Sequence, residues 1–477
     1  MHRHSELRIT LCIAGYVVVL MMVCALSSPL FDRTATDSSV FVAMGRAMLN
    51  GKVVYKDVFD HKGLYLYFLN AFAVLMTGKS LLGLFVVECV FMFLCARIVY
   101  AMLSKYTDRI TAFLAMQIFM MIVMRRTIFE GGNLTEEYSL LFHVCAIYLV
   151  VRDEGRHSCL MMMLQGVLAG ITLCFRPNMM MMWGGIALVS GVDMLRKKRF
   201  MLLLGNIAAG LAGLVISLLP AVIYAVLNDS VNDTLFGMFG YNFVYISGAA
   251  PFLKRAASVM IHADKFLLLS LILSAIIMFN KSPYYWAMLA FSAASVCISG
   301  RTYGHYYICL AVFMLPFAYE AALRIPKNKY KFMIPAVMVI TVLLGFRPPE
   351  FVRAFFGREV IPPDEYIRCN EPYYSEHERV LVTRNDVRLY NVLGVIPQEK
   401  YFYVPSNSYE AFPEPVDSQI SSILSGVNDV IIIKYRKEEH EIYPESGRSE
   451  EIAAYLAENY DLLYRDESNN TAMYGRK

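Results

Sequence analysis

The stretch RTATDSSVFVAMGRAMLNGKVVYKDVFDHKG, residues 33 to 63, decides how this chain is read. It follows the first membrane-length apolar run, near 8–29, carries Asp37 near its start and ends in a dense Asp60-His61-Lys62-Gly63 cluster. A plain membrane anchor has no use for ionisable groups gathered at the mouth of its first helix, whereas chemistry at the interface does.

Outward from this loop, composition fixes the solvent. Of 477 residues, 57% are hydrophobic and 18% charged, and the mean hydropathy is +0.46. That is too apolar for a water-soluble chain of this length, so lipid solvates most of it. The net charge of +4 sits in short loops between apolar runs and forms no basic stripe, which argues against a nucleic-acid partner. All cysteines but Cys369, which lies in the hydrophilic tail, fall in or at the ends of apolar runs, with neither a disulfide framework nor zinc spacing. The opening MHRHSELR resembles the start of a signal peptide. The run behind it exceeds the roughly 7 to 15 residues of a cleavable segment, so it reads as an uncleaved first span.

Further spans are expected near 80–103, 110–124, 137–151, 159–175, 179–195, 200–227, 263–280, 283–299, 308–323 and 332–346. The run GLYLYFLNAFAVLMTG, residues 63 to 78, is at or below the length that crosses about 30 Å of hydrocarbon. If it crossed, RKKR (196–199) and RIPKNKYK (324–331) would both lie outside, against the cytoplasmic preference of Lys and Arg. It is therefore expected to be a juxtamembrane or re-entrant helix. About eleven transmembrane helices remain, in the cytoplasmic membrane, with the N-terminus inside and all the unusual polar motifs on the outer side.

At FRPPEF (346–351) charges and prolines replace the apolar runs. The expected division is a transmembrane catalytic domain, 1–346, and an extracytoplasmic α/β domain, 347–477. Strands are predicted at RVLVT (379–383), YFYVP (401–405), DVIIIKY (429–435) and DLLYRD (461–466), between helices near 385–394, 415–425 and 449–459. That alternation suggests a small, largely parallel sheet. No GxGxxG or P-loop follows a strand, so nucleotide binding has no support.

The polar residues form a constellation. Asp37 precedes a helical stretch suited to the membrane surface, and an acid there can take a proton from a hydroxyl, ligate a metal, or merely cap the helix. Asp57, Asp60, His61 and Lys62 combine donors that a divalent cation takes with cations that hold a phosphate; the bland reading is a solvated loop. RRTIFEGGNLTEEY (125–138) places Gly131-Gly132 before Glu136 and Glu137, which the helix dipole alone also favours. Arg176 divides two apolar runs, and Arg301, His305 and Tyr306 open another. Such groups at membrane depth are costly unless they face a cavity or an anion. Glu88, inside the second span, needs a partner that the sequence does not reveal. The methionine runs near 161–163 and 179–182 read as flexible packing.

Asp37 with its downstream VFVAMGRAMLNGKVVYKDVFDHKG, GGNLTEEYSLLF, FRPN (175–178) and RTYGHYY (301–307), in this order over about residues 8 to 320, resemble the C superfamily of glycosyltransferases, GT-C. The resemblance is to the multispanning enzymes related to protein mannosyltransferases and the aminoarabinose transferase of lipid A. It implies a donor sugar on a polyprenyl phosphate, transfer on the outer face to an envelope glycan, lipid or protein, and a first-loop acid, here Asp37, as catalytic base. The second-loop acid matches Glu136 or Glu137. Relatives with lysine-proline-proline in the first loop correspond to Lys62-Gly63-Leu64, so the lysine matches and the prolines do not. The donor phosphate is expected at Lys62, His61, Arg176, Arg301, His305 and Tyr306, with Asp60, Glu137 and Glu88 as supporting or alternative acids. A divalent metal is compatible with these residues and not required by them. A lipid-linked polysaccharide polymerase or ligase and, further off, a transporter stay open. A transporter would have no need of an outer C-terminal domain, and no pair of matching broken helices is seen in the two halves.

Overall fold

The computed structural model describes residues 2–246, 251–298, 301–345, 379–384, 387–435, 441–466 and 470–477. FRPPEF and Cys369 therefore lie outside the described residues. The chain divides into two compact units, one of Met1–Arg33, Leu84–Tyr224 and Gly248–Phe351, the other of Thr34–Gly83, Ala225–Ser247 and Val352–Lys477.

Every apolar run expected to span holds a helix: His2–Cys24, Leu82–Leu103, Arg109–Val123, Thr135–Asp153, Cys159–Phe175, Met181–Arg196, Phe200–Leu227, Lys265–Ile277, Pro283–Ile298, Leu315–Arg324 and Tyr330–Gly345. Among the described residues, 6 helices are long and apolar enough to cross a membrane by themselves, and Phe252–His262 with Lys265–Ile277, bent by 106°, makes 7. The chain is an integral membrane protein. Local chemistry sets the helix starts: the Asp108 carboxylate accepts the Ile110 and Thr111 N–H groups at 3.2 Å each, and Asp264 does the same for Phe266 and Leu267. Within the first unit, Met181–Arg196 packs backbone to backbone on Pro283–Ile298. A Cβ at Gly185 would come within 2.6 Å of the Met288 nitrogen, so only glycine permits that approach.

In the second unit, Thr36–Leu49 packs on Leu64–Thr77. The latter has 14 residues, about 21 Å of helix and less than the hydrocarbon thickness. Thr36–Leu49 is packed into this unit, with Ser38 through Ala47 buried without a break. Val40, Phe41, Val42, Ala43 and Met44 leave no polar face to expose.

The C-terminal sheet contains β1 (Val380–Val382), β2 (Val430–Lys434), β3 (Tyr460–Asp466) and β4 (Thr471–Arg476), in the order β1-β2-β4-β3. Only β1 and β2 are parallel, which corrects the expectation of a largely parallel sheet. β3 and β4 are joined through 467–470, and so short a connection permits only antiparallel pairing. YFYVP forms no strand: Phe59 N–H donates to Lys400 O at 2.8 Å, and Val404 N–H to Arg384 O at 3.0 Å, so the segment spends its bonds outside the sheet. One face of the sheet, with Leu381, Ile431 and Ile433, buries Ile420 and Ile423 of Glu414–Leu424 and Ile452 and Leu456 of Ser449–Asn459. Each such side chain contributes roughly 1.5–3 kcal/mol.

Candidate functional site

The polar residues singled out above fall into one cluster in each unit. In the second unit the cluster is built around Asp60, which is 2% exposed. Tyr67 Oη donates to Asp60 Oδ2 at 2.7 Å and Tyr403 Oη to Asp60 Oδ1 at 2.5 Å, while His61 Nδ1 stands 3.2 Å from Oδ1. The Lys62 ammonium lies 3.0 Å from His61 Nε2. An ammonium has donors only, so Nε2 must present its lone pair, and the remaining imidazole proton sits on Nδ1, facing Asp60. Burial raises the Asp60 carboxyl, but the hydrogen bond from His61, the Lys62 charge and the Tyr403 hydroxyl outweigh it and hold Asp60 below the usual carboxylate range.

Lys62 itself is fixed through its backbone. Its N–H donates to Tyr67 Oη at 3.0 Å, and its carbonyl accepts Tyr55 Oη at 2.6 Å. Tyr55 holds a left-handed φ of 69°, a conformation that costs a bulky residue of order 1–3 kcal/mol. Asp57, by contrast, accepts Val53 N–H at 2.7 Å and is spent on the turn. Asp37 is half-buried in the first turn of Thr36–Leu49, whose N-cap is Ala35, so the acid is not the capping residue. Its charge reaches Tyr403, whose hydroxyl is pushed up by burial, then by Asp60, Tyr241 and Asp37.

In the first unit, Glu136 and Arg176 form an ion pair, with side chains 3% and 11% exposed. Thr135 Oγ1 donates to Glu136 Oε2 at 2.6 Å. Arg176 Nε donates to Asn178 Oδ1 at 3.1 Å, Asn178 Nδ2 donates to Ser295 O at 3.1 Å, and the guanidinium carbon lies 3.9 Å from the Tyr306 ring centre. The Tyr306 ring meets His305 edge-on at 4.7 Å, and His305 Nδ1 lies 2.7 Å from Glu130 Oε2. Burial raises the Glu130 carboxyl, and the His305 contacts more than offset this, leaving it low. Arg301 opens the same segment, half-buried.

Glu88 is fully buried and accepts the Ser27 hydroxyl, the partner missing from the sequence reading. Gly132, at φ +90°, passes so close that a Cβ would meet the Glu88 carboxylate. Glu137 is buried as well, and the Glu88 charge acts on it. Among the described residues no group of three or more His, Cys, Asp or Glu side chains is placed to hold a metal ion.

Glu130 and Tyr403 are among the residues that sequence reasoning passed over, with Ser27, Tyr55 and Tyr67. Glu130 lies inside a quoted motif, and its signal is an acid directly before Gly131-Gly132. Tyr403 was hidden by the strand reading of YFYVP.

The helical body with a small C-terminal sheet is an ArnT-like fold. The particular likeness is to ArnT from Cupriavidus metallidurans bound to undecaprenyl phosphate, at a TM-score of 0.63 and 13% identity, covering 98% of this chain and 98% of that one. The same protein in the apo state gives 0.61 and 12%, over 99% and 98%. No protein-family model matches the chain, and no curated protein does.

Proposed function

We propose that this chain is a membrane glycosyltransferase that moves a sugar from a polyprenyl-phosphate donor to an envelope acceptor on the outer face of the cytoplasmic membrane, in the synthesis of a cell-envelope glycan. The observation that carries the reading is the Lys62 loop: a cation only 9% exposed, held by its own backbone and by the Asp60–His61 pair. Burying a lysine is costly unless an anion awaits it, and a lipid phosphate at the interface is such an anion. The fold supports the same chemistry, because ArnT of that fold was solved with undecaprenyl phosphate bound.

Nucleotide sugars are cytoplasmic, so transfer on the outer face needs a lipid-borne donor. The phosphate leaving group gains negative charge as the glycosidic bond breaks, and Lys62, Arg176, Arg301 and His305 would stabilise it, each by on the order of 3 kcal/mol in the barrier. Asp37 would take the proton of the acceptor hydroxyl as that oxygen attacks the anomeric carbon from the face opposite the phosphate, giving inversion. Glu136, locked with Arg176, would orient that cation.

The test is incubation of the purified protein with a panel of polyprenyl-phosphate sugars, following release of the free lipid phosphate. Release with one of them is the expected result. Turnover of a pyrophosphate-linked oligosaccharide alone would replace this reading by a polymerase or ligase.

A further inference from the structure

The donor loop is completed from the far end of the chain. Asp60 and Tyr403 are 343 residues apart in sequence, yet the phenol donates directly to the carboxylate whose other oxygen receives Tyr67. The neighbouring Phe59–Lys400 backbone bond repeats the connection. Phe59 is then held in an aromatic box of Tyr241, Tyr401 and Phe412, with ring centres 5.0–6.3 Å apart. This places a C-terminal hydroxyl at the head of a chain of contacts that runs from Tyr403 to Asp60, from Asp60 to His61 Nδ1, and from His61 Nε2 to the Lys62 ammonium.

We propose that Tyr403 is a positioning residue for donor binding: it fixes the Asp60 carboxylate, which orients His61, which in turn aims the Lys62 ammonium at the donor phosphate. This rests on the assignment of Lys62 as a donor-phosphate cation. The physical reason is orientational. A carboxylate carrying two phenol hydrogen bonds has one orientation available, and its remaining in-plane contact selects one imidazole tautomer. Without Tyr403, Asp60 Oδ1 keeps only His61, the ring is free to tilt, and Nε2 no longer marks a fixed place for the ammonium. The groups facing Asp60 are Tyr67 of the helix Leu64–Thr77, His61 and Lys62 of its own loop, and Tyr403; Asp37 and Tyr241 face it through Tyr403.

The experiment measures binding of undecaprenyl phosphate to the full-length chain in lipid nanodiscs, for wild type, Tyr403→Phe, Lys62→Gln and the double variant. Loss of a hydrogen bond to a charged group should weaken binding about tenfold in Tyr403→Phe. In the Lys62→Gln background the same change should have little further effect, because the cation it serves is gone. Tyr435→Phe, whose hydroxyl pairs with Tyr474 in the same C-terminal part, should bind as wild type. Wild-type affinity in Tyr403→Phe, or an equal loss with and without Lys62, overturns the positioning role. Full affinity in Lys62→Gln instead overturns the donor-site assignment itself. Should Tyr403→Phe unfold, Asp60→Asn approaches the same link from the loop, with the same tenfold loss expected and the same non-additivity required.

Discussion

The guanidinium of Arg176 lies 3.9 Å from the centre of the Tyr306 ring while it pairs with buried Glu136. One cation is thus held by a carboxylate and an aromatic face at once, which suits the planar guanidinium: its N–H edge meets the carboxylate while its face stacks on the ring.

Arg176→Ala should strand the Glu136 carboxylate and lower the thermal midpoint, consistent with about 3–5 kcal/mol for breaking a buried pair. The double variant Arg176→Ala, Glu136→Gln should recover most of that stability, because no buried charge is left alone. Donor binding should stay weak in both variants. A double variant with wild-type donor affinity would remove Arg176 from the phosphate clamp while leaving its structural role intact.

Asp37→Asn should leave the protein folded and inserted with donor binding largely retained, while turnover falls by roughly 10²-fold to 10⁴-fold. The structure sharpens this test, since Ala35 and not Asp37 is the helix N-cap. Near-wild-type turnover would shift the base to Glu130, Asp60 or Glu136.

The Glu130–His305 contact predicts an acid-side signature. Glu130 is low in the folded protein, so its contribution is present above the ordinary range of a glutamate, near pH 4.5, and is lost as pH falls through the lower folded value. Thermal midpoints of Glu130→Gln and wild type should therefore differ most at neutral pH and converge on acidification below 4.5. Parallel curves across that window would show that Glu130 is not linked to folding.

The expected topology is checked by cysteine labelling. An impermeant thiol reagent applied to intact cells should modify Glu458→Cys, on an exposed stretch of the C-terminal helix, and should spare Lys198→Cys in the RKKR loop until the cells are opened. The reverse pattern would invert every loop and move the Lys62 cluster to the side where nucleotide sugars are made.

Helix positions were legible because lipid imposes one rule on every span, a run of apolar residues, and each such run holds a helix. The loop residues Asp60, His61 and Lys62 were legible as a group because charge at the interface is costly anywhere. Their partners were not. Tyr67 and Tyr55 look like ordinary interfacial aromatics in GLYLYF and VVYK, and nothing local marks Tyr403 as a donor to an acid in the first loop. Ser27 escaped for the same reason, since a hydroxyl near a helix end is unremarkable until Glu88 is seen beside it. The parallel-sheet reading failed at β3 and β4, which pair antiparallel, because alternating strand and helix periodicity carries no sign of strand direction until loop length is weighed.

The bond between Asp60 and Tyr403 also sets a schedule. Synthesis runs from the N-terminus, and membrane segments settle as they emerge, so the first loop waits through nearly the whole of translation for the phenol that completes it. A chain halted anywhere before residue 400 would keep Tyr55 and Tyr67 on the Lys62 backbone and leave Asp60 without its second phenol. Nonsense mutations upstream of Tyr403 should thus leave the earliest loop of the chain without its last hydrogen bond.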